Sequence, residues 1–305
     1  MPKLTEMLQK PGVVAATHSG AFHADDVMAA AAMRLMQPAL TVVRSRDQDE
    51  LNAADIQFDV GRVFDPARCR FDHHQLDYKE ARDNGIPYSS FGLIWRELGE
   101  ALCGSADAAR RVDIALVQGV DAMDCGVTIS KEIRPVRLMS VSAVLGSFNP
   151  GWQDTTTPAA MTEAFEQAVT LAKTILQNVI REASGFEKAK EIVEQGTLLE
   201  QGRLLLLSHG VPWKEAVFES GKYRQLLYVV YPDAQGKWHV SCVPEAPGSF
   251  GNRKSLPAAW AGLDGEELDK VTGIEGCVFC HRARFVGAHK TKEGAIEMVR
   301  LALKE

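Results

Sequence analysis

Histidine and aspartate residues cluster at three places in the first part of the chain, and both side chains are good ligands for divalent metals. The ligand-capable residues are His18, His23, Asp25, Asp26, Asp59, Asp72, His73, His74, Asp121 and Asp124. Carboxylates suit hard ions such as Mn²⁺ and Mg²⁺, and imidazole shifts the preference towards Mn, Fe, Co or Zn. A pair of ions needs about six such ligands, including one carboxylate that bridges the metals. The clusters therefore predict a two-metal site.

Each of these residues, taken alone, has a simpler explanation. Asp26 and Asp121 can each cap a helix, because aspartate is a favoured cap residue. A lone histidine is usually a surface or core residue. Four of the eight histidines, however, fall in the first quarter of the chain together with acids. This joint pattern favours a metal site, in which Asp26 and Asp121 are either ligands or partners of the ligands.

The elements around these clusters alternate between short strands and helices. Strands are predicted at 13–17, 40–43, 56–60 and 70–71, and helices at 26–36, 90–102 and 106–120. Such alternation is typical of a mostly parallel sheet flanked by helices. Ligands bind outside the carboxyl ends of the strands in sheets of this kind. Since the polar clusters follow predicted strand ends, we expect those ends to gather them.

The second half of the chain has a different pattern. Residues 157–195 carry helix signals that begin with Thr157-Pro158, and we expect one long helix and a second one. Strands are predicted at 203–207, 225–231, 238–243 and 276–285, before a closing helix at 292–303. The expected fold is α/β with two domains. They are a metal-binding domain over 1–156 with a mostly parallel sheet, a helical linker over 157–199, and a smaller α/β domain over 200–305 with a mixed sheet.

Composition narrows the class of protein. The 305-residue chain has a net charge of −6, which excludes a basic field over the whole surface for nucleic acid. The six cysteines lack the spacing of a disulfide framework, and Cys277-Val-Phe-Cys280 is interpreted as two buried strand thiols. No apolar stretch is long enough to span a membrane, and no signal peptide is visible. We therefore expect a cytoplasmic protein without a membrane partner.

The motifs together resemble those of a known family. Asp72-His73-His74 with the upstream His18 and Asp25 is similar to the DHH phosphoesterase superfamily of pyrophosphatases, exonucleases and oligoribonucleases. The melanocyte-proliferating-gene (Myg) family is more similar still. Its motifs are Thr-His-x-Gly-x-Phe-His-x-Asp at 17–25, Phe-Asp-His-His-Gln at 71–75, Val-Asp-Ala-x-Asp at 120–124, Gly-Cys-Val-Phe-x-His at 276–281 and Lys-Thr-x-Glu-Gly-Ala at 290–295. The resemblance covers nearly the whole chain.

The resemblance implies a role for each clustered residue. The implied ligands are His18, His23 and Asp59 around one ion, and Asp25, Asp59, His73 and Asp124 around the other, with Asp59 as the bridge. Asp72 and His74 are the implied catalytic pair. Asp72 would fix an imidazole, and His74 would face the substrate phosphate as hydrogen-bond donor or general acid. The implied cofactors are two divalent ions, with Mn favoured and Mg, Co, Fe or Zn as alternatives.

Two departures from the wider superfamily affect these roles. The usual opening is His-x-x-x-Asp-x-Asp, and here His23 replaces the first aspartate one residue later, which softens the first metal site. The glycine-rich, His-containing substrate motif of the exonuclease relatives is also missing. Basic residues stand in that region and either bind a phosphate backbone or form a solvated strand edge and helix end. These substrate-binding candidates are Arg253, Lys254, His281, Arg284 and Lys290.

The function implied by the resemblance is metal-dependent hydrolysis of phosphodiester bonds, with 3′→5′ trimming of RNA favoured. The acidic chain favours short single-stranded RNA as partner, or a small phosphorylated substrate, and a homodimer is left open. A small-molecule phosphatase or pyrophosphatase is the alternative enzyme, because the glycine-rich motif is missing. A non-catalytic metal-binding regulatory protein is the third hypothesis, and the complete ligand set argues against it.

Overall fold

The computed structural model describes residues 3–131, 134–136, 138–154 and 156–305. The chain forms two compact units, one ending at Gly185 and the other beginning at Phe186. Each unit has its own sheet and its own apolar core. The predicted α/β class is confirmed, with a mostly parallel sheet in the first unit and a mixed sheet in the second. The domain boundaries expected from the sequence stay a prediction.

The first sheet has five strands in the order β2-β1-β3-β5-β4. The strands are β1 (Val14–Thr17), β2 (Thr41–Arg44), β3 (Ile56–Phe58), β4 (Phe64–Asp65) and β5 (Arg70–Phe71). Strand β1 pairs in parallel with β2 and β3, and β3 pairs in parallel with β5. Strand β4 is the single antiparallel edge. The carboxyl ends of β1, β3 and β5 therefore lie side by side at one edge of the sheet.

Helices cover the first sheet. They are α1 (Lys3–Leu8), α2 (Ala24–Met36), α3 (Gln48–Ala53), α4 (Ser90–Cys103), α5 (Ala106–Val112), α6 (Gln118–Asp124) and α7 (Val141–Gly146). Four consecutive alanines in α2, residues 29–32, are fully buried, and their small size lets α2 pack closely against α4. The single helix predicted at 106–120 is α5 and α6 joined by a π-helical segment, Asp113–Val117. Such segments are frequent at functional sites.

One continuous helix, α8 (Pro158–Glu194), fills most of the stretch predicted as two helices. The prediction of a second helix there was wrong. The helix continues through Gly185, because a glycine inside a helix costs only about 1 kcal/mol relative to alanine. Apolar packing on both sides of that glycine offsets the cost, since Leu176 and Val193 are both buried.

The second unit holds a six-stranded sheet in the order β10-β11-β9-β8-β7-β6. The strands are β6 (Thr197–Leu199), β7 (Leu204–Leu206), β8 (Tyr228–Pro232), β9 (Trp238–Cys242), β10 (Cys277–Cys280) and β11 (Val286–His289), and the helices are α9 (Trp213–Glu219), α10 (Gly265–Thr272) and α11 (Lys292–Lys304). Only β7 and β8 pair in parallel. The strand predicted at 276–285 ends at Cys280, and the chain turns back into β11. No helix in the described ranges combines the length and apolarity needed to cross a bilayer.

Candidate metal centre

The candidate site lies at the edge of the first sheet where three parallel strands end. His18 comes directly after β1, Asp59 directly after β3, and Asp72 directly after β5. Because these strands are neighbours, the sheet brings together three residues that lie far apart in the sequence. Asp59 leaves its strand with a left-handed backbone (φ +53°), which aspartate tolerates better than most residues. Such strained positions are concentrated at functional sites.

Asp59 lies between two histidines, with one carboxylate oxygen towards each. Its Oδ2 is 3.2 Å from Nε2 of His18, and its Oδ1 is 3.3 Å from Nε2 of His73. The side chain is buried. Burial opposes its ionisation, yet the hydrogen bonds from the two imidazoles hold the pKa of Asp59 below its usual range. An ionised carboxylate that presents its two oxygens in two directions has the arrangement needed to bridge two ions.

The first turn of α2 adds two buried acids beside these histidines. The backbone N–H of His23 donates to Oδ1 of Asp26 at 3.0 Å, which begins the helix, and Oδ2 of Asp26 is 3.4 Å from Nε2 of His18. Among the described residues, neither carboxylate oxygen of Asp25 has a hydrogen-bond partner. Burial and the nearby Asp59 raise the pKa of Asp25 well above its usual value, and they raise that of Asp26 to about 7.

His73 and Asp124 complete this group of acids and imidazoles. Nε2 of His73 is 3.3 Å from Oδ2 of Asp124 and 3.7 Å from Oδ2 of Asp25. Its other ring nitrogen, Nδ1, is 3.9 Å from Sγ of Cys125. Burial and the Asp124 carboxylate raise the pKa of Cys125 to about 12, so the thiol stays protonated at neutral pH. The sequence offered no signal for Cys125 beyond its position next to Asp124.

These residues fit divalent metal ions. Groups of three donor atoms within 4.8 Å of one another come from His18, His23 and Asp59; from Asp59, His73 and His74; from His73, Asp124 and Cys125; and from His23, Asp25 and Asp124. Buried carboxylates without donors are costly unless a cation or a proton neutralises them. We call His18, His23, Asp25, Asp26, Asp59, His73 and Asp124 the metal cluster. The number and identity of its ions stay predictions.

Asp72 holds the imidazole of His74 rather than joining the metal cluster. Its Oδ1 accepts hydrogen bonds from the backbone N–H of His73 and of His74, and it lies 2.8 Å from Nδ1 of His74. This side-chain hydrogen bond raises the pKa of His74. The side chain of His74 is 54% exposed, so the imidazole can be reached by a substrate. The roles predicted for both residues are compatible with this geometry and stay predictions.

Asp121 lies in a separate cluster, although it is only three residues from Asp124. Its Oδ2 is 2.7 Å from a guanidinium nitrogen of Arg82, and its Oδ1 accepts from Oγ of Ser89 and from the backbone N–H of Gly92. A Cβ at Gly92 would lie 2.0 Å from the Asp121 carboxylate, so only glycine permits this approach of α4 to α6. The geometry therefore favours Asp124 over Asp121 as a ligand.

The substrate-binding candidates of the second unit are partly engaged elsewhere. One guanidinium nitrogen of Arg253 donates to the carbonyls of Tyr223, Arg224 and Leu226, which ties together two loops. Arg284 donates to the carbonyl of Leu256. His281 and Lys290 are exposed, and Lys254 is half-buried. The use of these residues in substrate binding stays a prediction.

Comparison with known proteins identifies the family. A family model described as "Uncharacterised protein family (UPF0160)", the MYG1 exonuclease family, matches residues 14–303. The human MYG1 exonuclease is 34% identical over 323 residues, which cover 95% of this chain and 85% of the human protein. The chain belongs to the MYG1 family. MYG1 proteins of Dictyostelium discoideum and Saccharomyces cerevisiae are 31% and 30% identical and cover 92% and 94% of this chain. The Myg resemblance is thus confirmed.

Sequence reasoning missed two arginines at the site of this MYG1-family chain. Arg46 and Arg62 line a cavity of about 180 Å³, together with His18, His23, Asp59, Val60, Gly61, Asp72 and His74. Neither arginine lies within the motifs at 17–25 and 71–75. Arg46 lies beyond the end of β2, and Arg62 lies beyond the end of β3. The signal that could have found them was their position after predicted strands.

Proposed function

We propose that this protein is a metal-dependent phosphodiesterase that removes nucleotides from short single-stranded RNA in the 3′→5′ direction. The observation that carries the proposal is the metal cluster, and above all Asp59 with one oxygen towards each of two histidines. The human relative is named an exonuclease, which supports nucleic acid as the substrate. RNA and the direction of trimming are inferred from the family resemblance of the sequence motifs.

The metal cluster would hold divalent ions through its carboxylate oxygens and imidazole nitrogens. Bound ions would stabilise charge on the phosphoryl oxygens and lower the pKa of water. Asp59 would connect the part of the cluster around His18 with the part around His73, because one of its carboxylate oxygens faces each of these histidines. Neither oxygen of Asp25 has a hydrogen-bond partner among the described residues, so ion binding would break no hydrogen bond of its carboxylate.

His74 would supply a proton to the reaction. The hydrogen bond from Nδ1 to Asp72 raises its pKa, so a larger fraction of the ring is protonated at neutral pH. The exposed Nε2–H can then donate to a phosphoryl oxygen or to the leaving alkoxide. Asp72 is itself fixed by backbone N–H groups, which holds the ring in one orientation.

The direct test is an assay of the Mn²⁺-loaded protein on a short 5′-labelled RNA, with dinucleotides and pyrophosphate as parallel substrates. We expect a ladder of labelled fragments that shorten stepwise from the 3′ end. His74→Ala should slow the reaction by about 10²–10⁴-fold, the usual contribution of general acid–base catalysis. His209→Ala, which removes an exposed imidazole of the second unit, should leave the rate unchanged.

Three outcomes contradict parts of the proposal. Immediate release of the labelled terminal nucleotide would reverse the direction of trimming. Phosphate release from pyrophosphate alone would favour the small-molecule phosphatase. Bound metal, measured by atomic emission after dialysis, without turnover of any substrate would favour a regulatory protein.

A further inference from the structure

The cavity beside the metal cluster is small and polar. Its volume of about 180 Å³ is below the range of about 300–1,000 Å³ typical of pockets that enclose a small-molecule ligand. Its ring side chains are the imidazoles of His18, His23 and His74, and the remaining lining is carboxylate, glycine, valine and arginine. A phosphate group fits such a space, whereas a nucleoside does not. Whatever the base of a bound nucleotide contacts, it lies outside this cavity.

Arg46 and Arg62 approach the cavity from the two sides of β1. Arg46 follows β2 and Arg62 follows β3, and these strands flank β1 at a separation of about 10 Å, twice the spacing of neighbouring strands. Nε of Arg46 donates to the carbonyl of Ser19, which holds this guanidinium beside the loop after β1. The backbone N–H of Arg62 donates to the carboxylate of Asp72. This hydrogen bond fixes the backbone from which the Arg62 side chain extends.

Both guanidinium groups are available to an anion. The two residues are exposed, and neither side chain forms an ion pair with an acidic residue in the described part of the chain. Most other arginines of the first unit are engaged, since Arg34 pairs with Glu166, Arg82 with Asp121 and Arg96 with Glu80. An exposed arginine beside a phosphate-sized cavity is placed to bind phosphate oxygens with its two-pronged donor group.

The charge balance of the metal cluster leaves a place for these arginines. Asp25, Asp26, Asp59 and Asp124 bring four carboxylates to one site. Two divalent ions would offset those carboxylates and leave the negative charge of each phosphodiester without a counterion. In a chain with a net charge of −6, no general basic field supplies that counterion. Arg46 and Arg62 place two positive charges at the rim.

We propose that Arg46 and Arg62 bind two consecutive phosphates of the substrate, the scissile phosphate and its neighbour on the 5′ side, so that the site recognises the nucleic-acid backbone and not the base. This inference rests on the proposed function and deepens it. The substrate class that follows is an oligonucleotide with two or more phosphodiesters and with any base sequence. A dinucleotide has only one phosphodiester, so it uses one of the two arginines.

The test measures RNA binding rather than turnover. Fluorescence anisotropy would follow labelled oligo(U) and oligo(A) binding to the protein with Mn²⁺, in a His74→Ala background in which hydrolysis is slowed, and gel analysis would confirm that the RNA is intact after each measurement. Adding Arg46→Ala and Arg62→Ala together should reduce the slope of log K against log salt by about 1.4, because each single-strand phosphate contact contributes about 0.7. The loss should be equal for both RNAs, and an Arg46→Lys/Arg62→Lys protein should regain most of the slope.

The control is Arg110→Ala, which removes the same charge from an exposed position on α5. It should leave the slope unchanged. An unchanged slope in the double arginine variant, with the parent protein still binding RNA, would overturn the arginine assignment alone. A base-dependent loss would overturn backbone recognition. Absence of RNA binding by the Mn²⁺-loaded parent would overturn the proposed function together with this inference.

Discussion

Two buried acids of the first unit, Asp121 and Asp25, show opposite uses of the same side chain. Both carboxylates are fully buried. Asp121 accepts hydrogen bonds from Ser89 and Gly92 and pairs with Arg82. Neither oxygen of Asp25 has a hydrogen-bond partner among the described residues. Burial alone therefore does not distinguish a structural acid from a candidate ligand, and the groups around the carboxylate must be compared as well.

The two acids have different consequences for stability. A fully partnered buried acid holds elements together, and Asp121 links α6 to α4 and to the loop that carries Arg82. An unpartnered buried acid destabilises the fold until a ligand arrives. We call Arg82, Ser89, Asp113 and Asp121 the arginine cluster. We expect the arginine cluster to maintain the fold and the metal cluster to bind ions.

The largest effect is expected from Asp121→Ala. Removing this acid leaves Arg82 with Asp113 as its remaining acidic partner and deprives Ser89 and Gly92 of their acceptor. The free energy of unfolding, measured by urea denaturation, should fall by about 3–5 kcal/mol, as when one partner of a buried pair is lost. The metal content of the folded protein, measured below the urea unfolding transition, should stay unchanged. Asp107→Ala, at an exposed acid of α5, is the control.

Asp59→Asn should have the largest effect on activity. Asparagine tolerates the left-handed backbone of residue 59 as well as aspartate does, so the substitution isolates the charge. Activity should fall by more than about 100-fold, which exceeds the loss typical of outer partners of metal ligands. Bound metal should fall with it. Asp77→Asn changes an exposed aspartate and should be neutral. Full metal content in the Asp59 variant would remove Asp59 from the ligand set.

The metal-free protein should lose stability as the pH rises. Burial raises the pKa of Asp26 from 3.8 to about 7 and raises that of Asp25 in the same direction. Between pH 3.8 and about pH 7 the folded chain binds more protons than the unfolded chain, so the free energy of unfolding falls with increasing pH. One such group contributes up to about 1.4 kcal/mol per pH unit.

Urea denaturation in the presence of a chelator, repeated across this pH range, gives the slope of the free energy of unfolding against pH. Saturating Mn²⁺ should flatten or reverse it, because ions bind the deprotonated carboxylates. Equal slopes with and without Mn²⁺ would contradict the assignment of these acids to the metal cluster.

The smallest effect is expected from Asp25→Asn in the absence of metal. Replacing one of several mutually repelling carboxylates should raise the free energy of unfolding at neutral pH by about 0.5–2 kcal/mol, as is usual when a functional site is neutralised. Metal affinity should fall at the same time. Asp121→Ala, in contrast, should lower the free energy of unfolding, because it removes the acceptor that Ser89 and Gly92 now use. A loss of stability in both variants would erase the distinction between the two clusters.

The sequence alone determined the class of the fold, the family and the residue types of the site. These features are local, since strand and helix periods, turn residues and the motifs around His18, His73 and Asp124 are all short patterns. The sequence also indicated that strand ends would gather the clusters, because parallel strands end at one edge of a sheet. It did not show that α8 is a single helix, because apolar packing beyond Gly185 offsets the local cost of the glycine.

Only the tertiary structure separated Asp121 from Asp124 and placed the two arginines. Side chains three residues apart on a helix differ in direction by roughly 60°, so the surroundings of α6 decide which acid meets Arg82 and which meets His73. Arg46 and Arg62 meet at one cavity because the strand order is β2-β1-β3. The physical reason is the same in both cases. Partners distant in the sequence, and not the residue itself, decide whether a buried or exposed charge stabilises the fold or remains available for a ligand.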